Sequence, residues 1–269
     1  MAQQIALSHV SFAYTPSQMI LQDINMVIAP GSLVGIVGPN GCGKTTLARL
    51  LNGNLFPTSG TVQIDGLSPD HHLLEVKRLV TLIQADAENQ LITPTVLDEI
   101  TFALQALGLD KHDIQQKAEA ALEQFGLGCY RDVHPFYLSV GEQFRLLVAA
   151  AVVHQPRYLV LDEVLSMLDS PTRQIFLQML LDLRDSLGLG IVILTHRLED
   201  LLNTDQVIVL NAGRIAAQRT ITELFSQGTT LEDWNIEIPL SYQVYALLPS
   251  HLREFFGEFT RTVPGSRRG

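Results

Sequence analysis

The chain has 269 residues, 46% of them hydrophobic and 17% charged, so it can bury one large domain with a small appendage. Its formal net charge of −10 argues against nonspecific attraction to nucleic acid or anionic lipid. The two cysteines, Cys42 and Cys129, lack disulfide or metal spacing, as is typical of a reducing cytosol, and neither a signal peptide nor a bilayer-spanning apolar run is expected.

Strand patterns open the chain. IALSHVSFAY and LQDINMVIA have β-type patterns, and TVQIDG predicts a short strand before a polar turn at LSPDHH. Four apolar runs are typical of buried parallel strands: SLVGIVG, RYLVLD, GIVILTH and QVIVLN. Helical patterns lie between them, so the sequence predicts an α/β fold in three layers, with a mostly parallel core sheet and an antiparallel β subdomain at the N-terminus.

A helical subdomain is predicted over residues 88–155, because TVLDEITFALQALG and DIQQKAEAALEQFGLG repeat apolar residues at helical spacing and end in glycine. It is inserted in a domain that covers residues 1–228, and residues 229–269 form a predicted C-terminal helical appendage. There IPLSYQVYALLPSHLREFFGEF predicts an amphipathic helical pair, which either closes over the core or contacts a partner subunit. The final RTVPGSRRG predicts a disordered tail.

The stretch GPNGCGKTT follows a predicted strand and opens a predicted helix, which is the context of a phosphate-binding P-loop. Its glycines let backbone N–H groups curl around phosphate oxygens. Lys44 would bridge the β- and γ-phosphates, Thr45 would ligate Mg²⁺, and Thr46 would serve the α-phosphate. A nucleoside triphosphate with Mg²⁺ is therefore the expected ligand, bound by Gly38, Pro39, Asn40, Gly41, Cys42, Gly43, Lys44, Thr45 and Thr46.

Cys42 lies within this loop, beside a predicted helix N-terminus that favours a thiolate. This position predicts a thiol that reagents modify and that bound nucleotide protects. The alternative is that Cys42 is present only because it is small.

Two acidic residues follow the strand RYLVL, at the sheet edge where ligands bind in α/β folds. Asp162 would hold Mg²⁺, and Glu163 would orient the attacking water and accept its proton. His196 follows the strand GIVILT and would contact the γ-phosphate while holding Glu163 in line. Gln84, after another short apolar strand, would reach Mg²⁺ or the water. Glu163, His196, Gln84 and Lys44 are thus the predicted catalytic residues, and Thr45, Gln84 and Asp162 the metal ligands.

The stretch YLSVGEQFR predicts a helix start that can hold an anion. Ser139 is the expected N-cap, and Glu142 lies three residues on, where it completes a capping box. Gly141 leaves backbone N–H groups open to approach. These residues raise the question of whose anion the helix holds, since the P-loop already provides a phosphate site.

The ordered set GPNGCGKTT, Gln84, LSVGEQFR, YLVLDE, SMLD and His196 resembles the nucleotide-binding subunit of ABC transporters over residues 5–225. The resemblance implies that two subunits pair head to tail and that Ser139, Gly141 and Glu142 approach the ATP of the neighbouring subunit. It also implies that Tyr14 stacks on adenine and that Asp169 crosses the dimer interface.

A narrower resemblance joins QADAENQLITPTVLDEITFALQALGL and WNIEIPLSYQVYALL to ATPase subunits of energy-coupling-factor importers. It implies uptake of a vitamin or a transition metal ion through a transmembrane coupling subunit and a small substrate-capturing membrane subunit, with this chain peripheral on the cytoplasmic face. No nucleic acid is expected as a partner. A conventional ABC importer ATPase remains an alternative.

The stretch LSVGEQ departs from the family pattern at two positions. Val140 stands where the family usually has glycine; it would be strained if the backbone needs a positive φ and would otherwise crowd the γ-phosphate. Glu142 stands where glutamine is usual, and we expect its carboxylate to fold back onto the Ser139 N–H. A second hypothesis follows from Val140: a regulatory ATP-binding partner with a weakened signature, paired with a different ATPase subunit.

Overall fold

The computed structural model describes residues 3–105, 108–226 and 231–237. Within these ranges it contains nine strands: β1 Ile5–Thr15, β2 Gln18–Ile28, β3 Leu33–Val37, β4 Ser59–Ile64, β5 Val80–Gln84, β6 Tyr158–Asp162, β7 Gly190–Thr195, β8 Gln206–Asn211 and β9 Arg214–Arg219. The α-helices of the same ranges are α1 Lys44–Leu51, α2 Leu73–Leu79, α3 Val96–Gln105, α4 Lys111–Gln124, α5 Val140–Val152, α6 Ser170–Leu187 and α7 Ile221–Ser226.

The core sheet has the strand order β5-β6-β7-β3-β8-β9. Its first five strands are parallel and β9 pairs antiparallel with β8. A separate antiparallel sheet has the order β2-β1-β4. The predicted α/β architecture, with a mostly parallel core sheet and an N-terminal antiparallel subdomain, is confirmed. The sequence patterns missed β9, because RIAAQR alternates between exposed and half-buried residues and carries a charge at each end.

The core sheet is covered on both faces. Every residue of β3, β6 and β7 is buried, and alternate residues point to opposite faces of a strand. Leu159 and Leu161 of β6 pack in a cluster with α3–α6, whereas Tyr158 and Val160 pack in another with α1 and the antiparallel sheet. The sheet is therefore the middle of three layers, as the continuous apolar runs predict.

Helices α3, α4 and α5 occupy residues 96–152, within the predicted helical insertion. Asp110 caps α4, since its carboxylate accepts a hydrogen bond from the Asp113 N–H at 2.9 Å. Helix α6 begins after Asp169 and ends at Gly188, whose φ of 66° is readily adopted by glycine. No helix of the described residues is long and apolar enough to cross a membrane.

Most of the predicted C-terminal appendage lies outside the described residues, including the amphipathic pair and the tail. Residues 231–237 are described, and Leu231–Trp234 forms a 3₁₀ turn. Leu231 and Ile236 are buried in the cluster that contains α3–α6. The boundary at residue 228 stays a prediction.

Candidate active site

The P-loop (residues 38–46) runs from the end of β3 into α1 and keeps the helix N-terminus open. The N-cap residue is Gly43, whose φ is 110°, and no side chain caps the helix. Gly41 has a φ of 80°, which glycine adopts readily, and a Cβ built on it meets no atom within 4 Å, so the space beside Gly41 is open. Backbone N–H groups at an uncapped helix N-terminus form a ready anion site.

The P-loop backbone lies against the end of β8. A Cβ on Gly38 would stand 2.1 Å from the Leu210 carbonyl oxygen and 2.7 Å from Cys42 Sγ, so only glycine fits there. Cys42 itself is buried, and this burial raises the pKa of its thiol. The expectation of a reactive thiolate at Cys42 is therefore wrong, because desolvation outweighs the attraction of the nearby Lys44 charge.

Lys44 is only 5% exposed, and its ammonium group binds the backbone of the P-loop itself. Its Nζ donates to the carbonyl oxygens of Gly38 at 2.7 Å and Pro39 at 3.2 Å. The same Nζ lies 3.1 Å from Glu163 Oε1. The lysine thus joins the P-loop to the first residue after β6.

Glu163 follows β6 with a φ of 57°, an unusual backbone for a non-glycine residue. Its Oε2 accepts a hydrogen bond from Ser166 Oγ at 2.7 Å and lies 2.9 Å from His196 Nδ1. Because an ionised carboxylate only accepts, Nδ1 carries the proton. Burial would raise the pKa of Glu163, but these hydrogen bonds and the Lys44 charge hold that pKa below its ordinary value. The predicted set Lys44, Glu163 and His196 is in direct contact.

Asp162, the last residue of β6, is 4% exposed. Burial raises its pKa, against a hydrogen bond from the Thr45 side chain. Its Oδ1 has no hydrogen-bond partner among the described residues. Gln84 is the register partner of Asp162 on β5. A buried, unpaired carboxylate oxygen beside a hydroxyl, with a glutamine at the paired position of the next strand, is an oxygen donor set that fits Mg²⁺.

Tyr14 places an aromatic surface beside the P-loop. Its ring is 49% exposed and packs edge-on against Phe12, with ring centroids 4.9 Å apart. Its hydroxyl oxygen lies 3.4 Å from Thr46 Oγ1. An exposed ring tethered to the loop is available for stacking.

The signature segment (residues 138–142) starts α5 with a complete capping box. Ser139 accepts from the Glu142 N–H at 3.4 Å, and the Ser139 N–H donates to Glu142 Oε2 at 2.8 Å. Burial would raise the pKa of Glu142, but hydrogen bonds from Ser139 and Tyr130 hold it below its ordinary value. The predicted folding back of Glu142 is confirmed.

Val140 and Gly141 begin α5 in different environments. Val140 is 45% exposed and lies in the first turn, and it is absent from the positive-φ residues of the described chain. The strain considered for Val140 is therefore absent, and only crowding remains. Gly141 is buried, and a Cβ there would stand 2.6 Å from Thr172 Cγ2. The glycine allows α5 to approach α6.

Asp169 is the N-cap of α6, and its carboxylate accepts from the Thr172 N–H at 3.0 Å. That bond lowers the pKa of Asp169, whose side chain is exposed. No hydrogen bond or ion pair within the described part of the chain joins Ser139 or Asp169 to residues 38–46. The single chain therefore assembles Lys44, Glu163 and His196 but leaves the signature segment apart from them.

Sequence reasoning missed several supporting residues. Ser166 anchors Glu163, and Gln90 holds the Gln84 backbone through bonds of 3.0 Å and 2.9 Å. Tyr130 supports Glu142. Ser166 belongs to the SMLD stretch and Gln90 to the QADAENQ stretch, but neither stretch indicates which backbone or side-chain group these residues contact, so only the folded chain reveals their roles.

Comparison with known proteins decides the family. The family model described as ABC transporter matches residues 21–166. The chain belongs to the ABC transporter family. Membership implies ATP binding and ATP hydrolysis coupled to transport, as the motif resemblance predicted.

Relatives of this ABC subunit are similar over most of its length. The energy-coupling factor transporter ATP-binding protein EcfA1 of Lacticaseibacillus paracasei is 33% identical over 90% of this chain and 87% of its own. The cobalt import ATP-binding protein CbiO of Syntrophus aciditrophicus is 35% identical over 82% of this chain and 79% of its own. The narrower resemblance predicted from the sequence is confirmed by these relatives.

A solved structure has the same fold. The cbiO1 protein of Clostridium perfringens, described as part of the ABC transporter complex cbiONQ, superimposes with a TM-score of 0.79. It is 26% identical, and the alignment covers 92% of this chain and all of that one.

Proposed function

We propose that this chain is the ATP-hydrolysing subunit of an energy-coupling-factor importer, which drives uptake of a vitamin or a transition metal ion. Its relatives named for energy-coupling factor transporters and cobalt import support this assignment. The chain would pair with an identical or homologous ATPase subunit on the cytoplasmic face of the membrane. There it would drive a transmembrane coupling subunit and a substrate-capturing subunit.

The contact of Lys44 with Glu163 carries the chemical part of the proposal. In this structure the ammonium group neutralises Glu163 Oε1 at 3.1 Å. Phosphate oxygens of ATP compete for Lys44, so nucleotide binding releases that carboxylate oxygen towards the attacking water. Before nucleotide binds, the pKa of Glu163 lies below its ordinary value, so the carboxylate is ionised; loss of the Lys44 contact would raise this pKa and make Glu163 a better acceptor of the water proton.

His196 keeps the Glu163 carboxylate in place while Lys44 turns to the phosphates. Its Nδ1 proton points to Glu163 Oε2 at 2.9 Å, and the ring is sufficiently exposed for Nε2 to face a γ-phosphate. Tyr14 would stack on the adenine.

Thr45, Asp162 and Gln84 would hold Mg²⁺, supported by the unpaired Asp162 Oδ1. When bound, the ion neutralises charge on the phosphate oxygens. A positive ion beside Asp162 would also offset the burial that raises the pKa of this carboxyl.

The signature segment would complete the site of a second subunit. Ser139 is exposed at the start of α5, two residues before the buried Gly141, and it makes no hydrogen bond to its own P-loop in the described ranges. A second subunit in the opposite orientation would bring its own Ser139 to this P-loop. Hydrolysis then requires two chains.

The test of the catalytic assignment is ATPase activity of the full chain with and without Glu163→Gln. The amide cannot accept the water proton, so we expect turnover to fall at least about a hundredfold with ATP still bound. Glu75→Gln is the matched control, because Glu75 is exposed and its one ion pair among the described residues is with His72 at 3.9 Å. Parent-like turnover of Glu163→Gln would overturn the assignment.

The transport assignment is tested by co-purifying the chain with membrane subunits expressed from the same cells and identifying what those subunits capture. A bound vitamin or metal ion supports the proposal. Conventional importer subunits with a separate soluble binding protein contradict the energy-coupling-factor type.

Val140 supports one alternative, a regulatory partner in a pair of unlike ATPase subunits. Its side chain is 45% exposed at the N-terminus of α5, where it would face the neighbour's nucleotide. ATP hydrolysis by the purified chain alone favours a self-sufficient pair. Hydrolysis that appears only after a second, different ATPase subunit is added favours the regulatory role.

A further inference from the structure

A buried cluster lies beneath the active-site loops and has no part in the chemistry described above. Asp200 is 3% exposed, and its Oδ2 accepts a hydrogen bond from Thr195 Oγ1 at 2.8 Å. Thr195 ends β7 immediately before His196, and Asp200 lies in the 3₁₀ turn Leu198–Leu201 that follows. The carboxylate therefore belongs to the segment that carries His196 (residues 195–201, the histidine segment).

Arg173 lies in the first turns of α6 and approaches the Asp200 carboxylate from that helix. Its Nε donates to the Leu165 carbonyl at 3.0 Å, and its Nη2 donates to the Leu168 carbonyl at 2.6 Å. Both carbonyls belong to the loop from Glu163 to Asp169 (the acidic loop). The planar fork of the guanidinium group reaches the two carbonyls with two separate nitrogens, whereas a lysine at this position would have only one nitrogen to offer.

Arg173 and Asp200 form an ion pair but no hydrogen bond with each other. Arg173 Nε lies 3.7 Å from Asp200 Oδ1, and that oxygen has no hydrogen-bond partner in the described chain. Burial raises the pKa of Asp200, against the Thr195 bond and the Arg173 charge. A buried carboxylate that is this poorly satisfied depends on its cationic neighbour.

We propose that Arg173 is a positioning residue that locks the acidic loop to the histidine segment and so fixes Glu163, Asp169 and His196 relative to one another. The guanidinium group of Arg173 binds the Leu165 and Leu168 carbonyls, and the negative charge of Asp200 keeps that guanidinium group in place. If a partner subunit displaces Asp169, the acidic loop and the histidine segment would move together, and the positions of Glu163 and His196 would change. The transmission of movement from a partner subunit rests on the proposed function. The lock, meaning the contacts by which Arg173 joins the acidic loop to the histidine segment, does not.

The two halves of the lock can be separated by two conservative variants. Arg173→Lys keeps a positive charge near Asp200 but loses the fork to Leu165 and Leu168. Asp200→Asn keeps the fork but removes the balancing charge. Arg184→Lys is the control on the same helix, because Arg184 pairs with Asp185 at 2.8 Å and is far along α6 from the active-site loops.

Hydrogen exchange of the full chain is the first measurement. Informative amides include that of Glu163, which donates to Leu194 O at 2.9 Å, and that of Asp200, which donates to Arg197 O at 3.3 Å. We expect Arg173→Lys to speed exchange about tenfold or more in both segments, whereas Arg184→Lys leaves both unchanged. Unchanged exchange in either segment of Arg173→Lys overturns the lock, whether or not the chain hydrolyses ATP.

Steady-state ATPase of the same variants is the second measurement. We expect Arg173→Lys to lower kcat about tenfold with the KM for ATP within twofold, because the binding loop at residues 38–46 is untouched. Asp200→Asn should have a smaller effect in the same direction. Faster exchange with parent-like kcat overturns the positioning role. A parent that stays inactive even with its partner ATPase subunit present instead refutes the proposed function, and exchange then decides the lock alone.

Discussion

At the scale of single residues, reciprocal hydrogen bonds between Ser139 and Glu142 hold the signature segment in its conformation. Ser139 Oγ lies 2.6 Å from Glu142 Oε2 and is the only one of the two that carries a proton. The carboxylate is thus satisfied within its own helix turn, with Tyr130 as a further donor. If the signature segment approaches the phosphate of a second subunit, these hydrogen bonds would reduce the repulsion between that phosphate and the Glu142 carboxylate.

Val140 is the residue whose substitution we expect to raise activity. Val140→Gly should increase turnover about two- to tenfold in the paired enzyme, because the side chain no longer crowds the neighbouring γ-phosphate. The ATP affinity of the monomer should not change, since the P-loop is untouched. Steady-state ATPase and nucleotide titration measure the two quantities.

Val140→Ala serves as the control for this substitution. Glycine in place of valine lowers helix propensity by a few tenths of a kcal/mol, and alanine raises it. If crowding is the cause, both variants gain turnover. Unchanged ATPase in both would show that the valine is tolerated.

At the scale of elements, the start of α5 is held against α6 through a glycine. The Thr172 methyl occupies the space that a Cβ of residue 141 would need, at 2.6 Å. Thr172 also donates its N–H to Asp169, so it lies at the junction of α6 and the acidic loop. The contact sets how α5 meets α6.

Gly141→Ala should therefore destabilise the protein although alanine favours helices. The clash costs about 1–3 kcal/mol, more than the gain of about 1 kcal/mol in helix propensity. Denaturant unfolding measures the difference. Thr172→Ser removes the methyl group, so the double variant should recover the loss, and a Gly141→Ala single variant as stable as the parent would contradict the packing argument.

At the scale of the whole molecule, a partly buried group of three residues joins the antiparallel sheet to the core sheet. Asp65 lies directly after β4; it accepts a hydrogen bond from Tyr158 Oη at 3.0 Å and pairs with Arg157 at 2.9 Å. Burial of Tyr158 and the nearby Asp65 charge raise the pKa of its phenol above the ordinary 10.0. The junction thus depends on a neutral tyrosine.

This raised pKa predicts loss of stability at high pH. The folded chain keeps the Tyr158 proton at a pH where the unfolded chain loses it, so the contribution is complete below about pH 10 and declines above it. The slope from this one group is about 1.4 kcal/mol per pH unit. Unfolding free energies measured between pH 8 and pH 11 test it.

Tyr158→Phe should cost about 1–2 kcal/mol at neutral pH, since Asp65 loses a donor, and should flatten the decline above pH 10. Tyr137→Phe is the control, because that side chain is 79% exposed. An alkaline slope in Tyr158→Phe equal to that of the parent would assign the decline to other groups.

Much of the active site could be predicted from local sequence. The P-loop, Asp162, Glu163 and His196 each follow an apolar strand, and parallel strands bring their carboxyl ends to one edge. Chain order and strand direction were therefore sufficient to bring them together. The thiolate expected at Cys42 is not favoured, because the burial of Cys42 beside Gly38 is a property of the folded loop and not of the motif.

The sequence by itself determined the alternating elements, the nucleotide loop and the capping box, because each depends on residues close together in the chain. Only the tertiary structure decided that Lys44 pairs with Glu163, that Thr172 requires a glycine at residue 141, and that Arg173 meets Asp200. These partners are separated by 119, 31 and 27 positions in the sequence. Their contacts arise from the order of strands and the approach of helices, which no local pattern encodes.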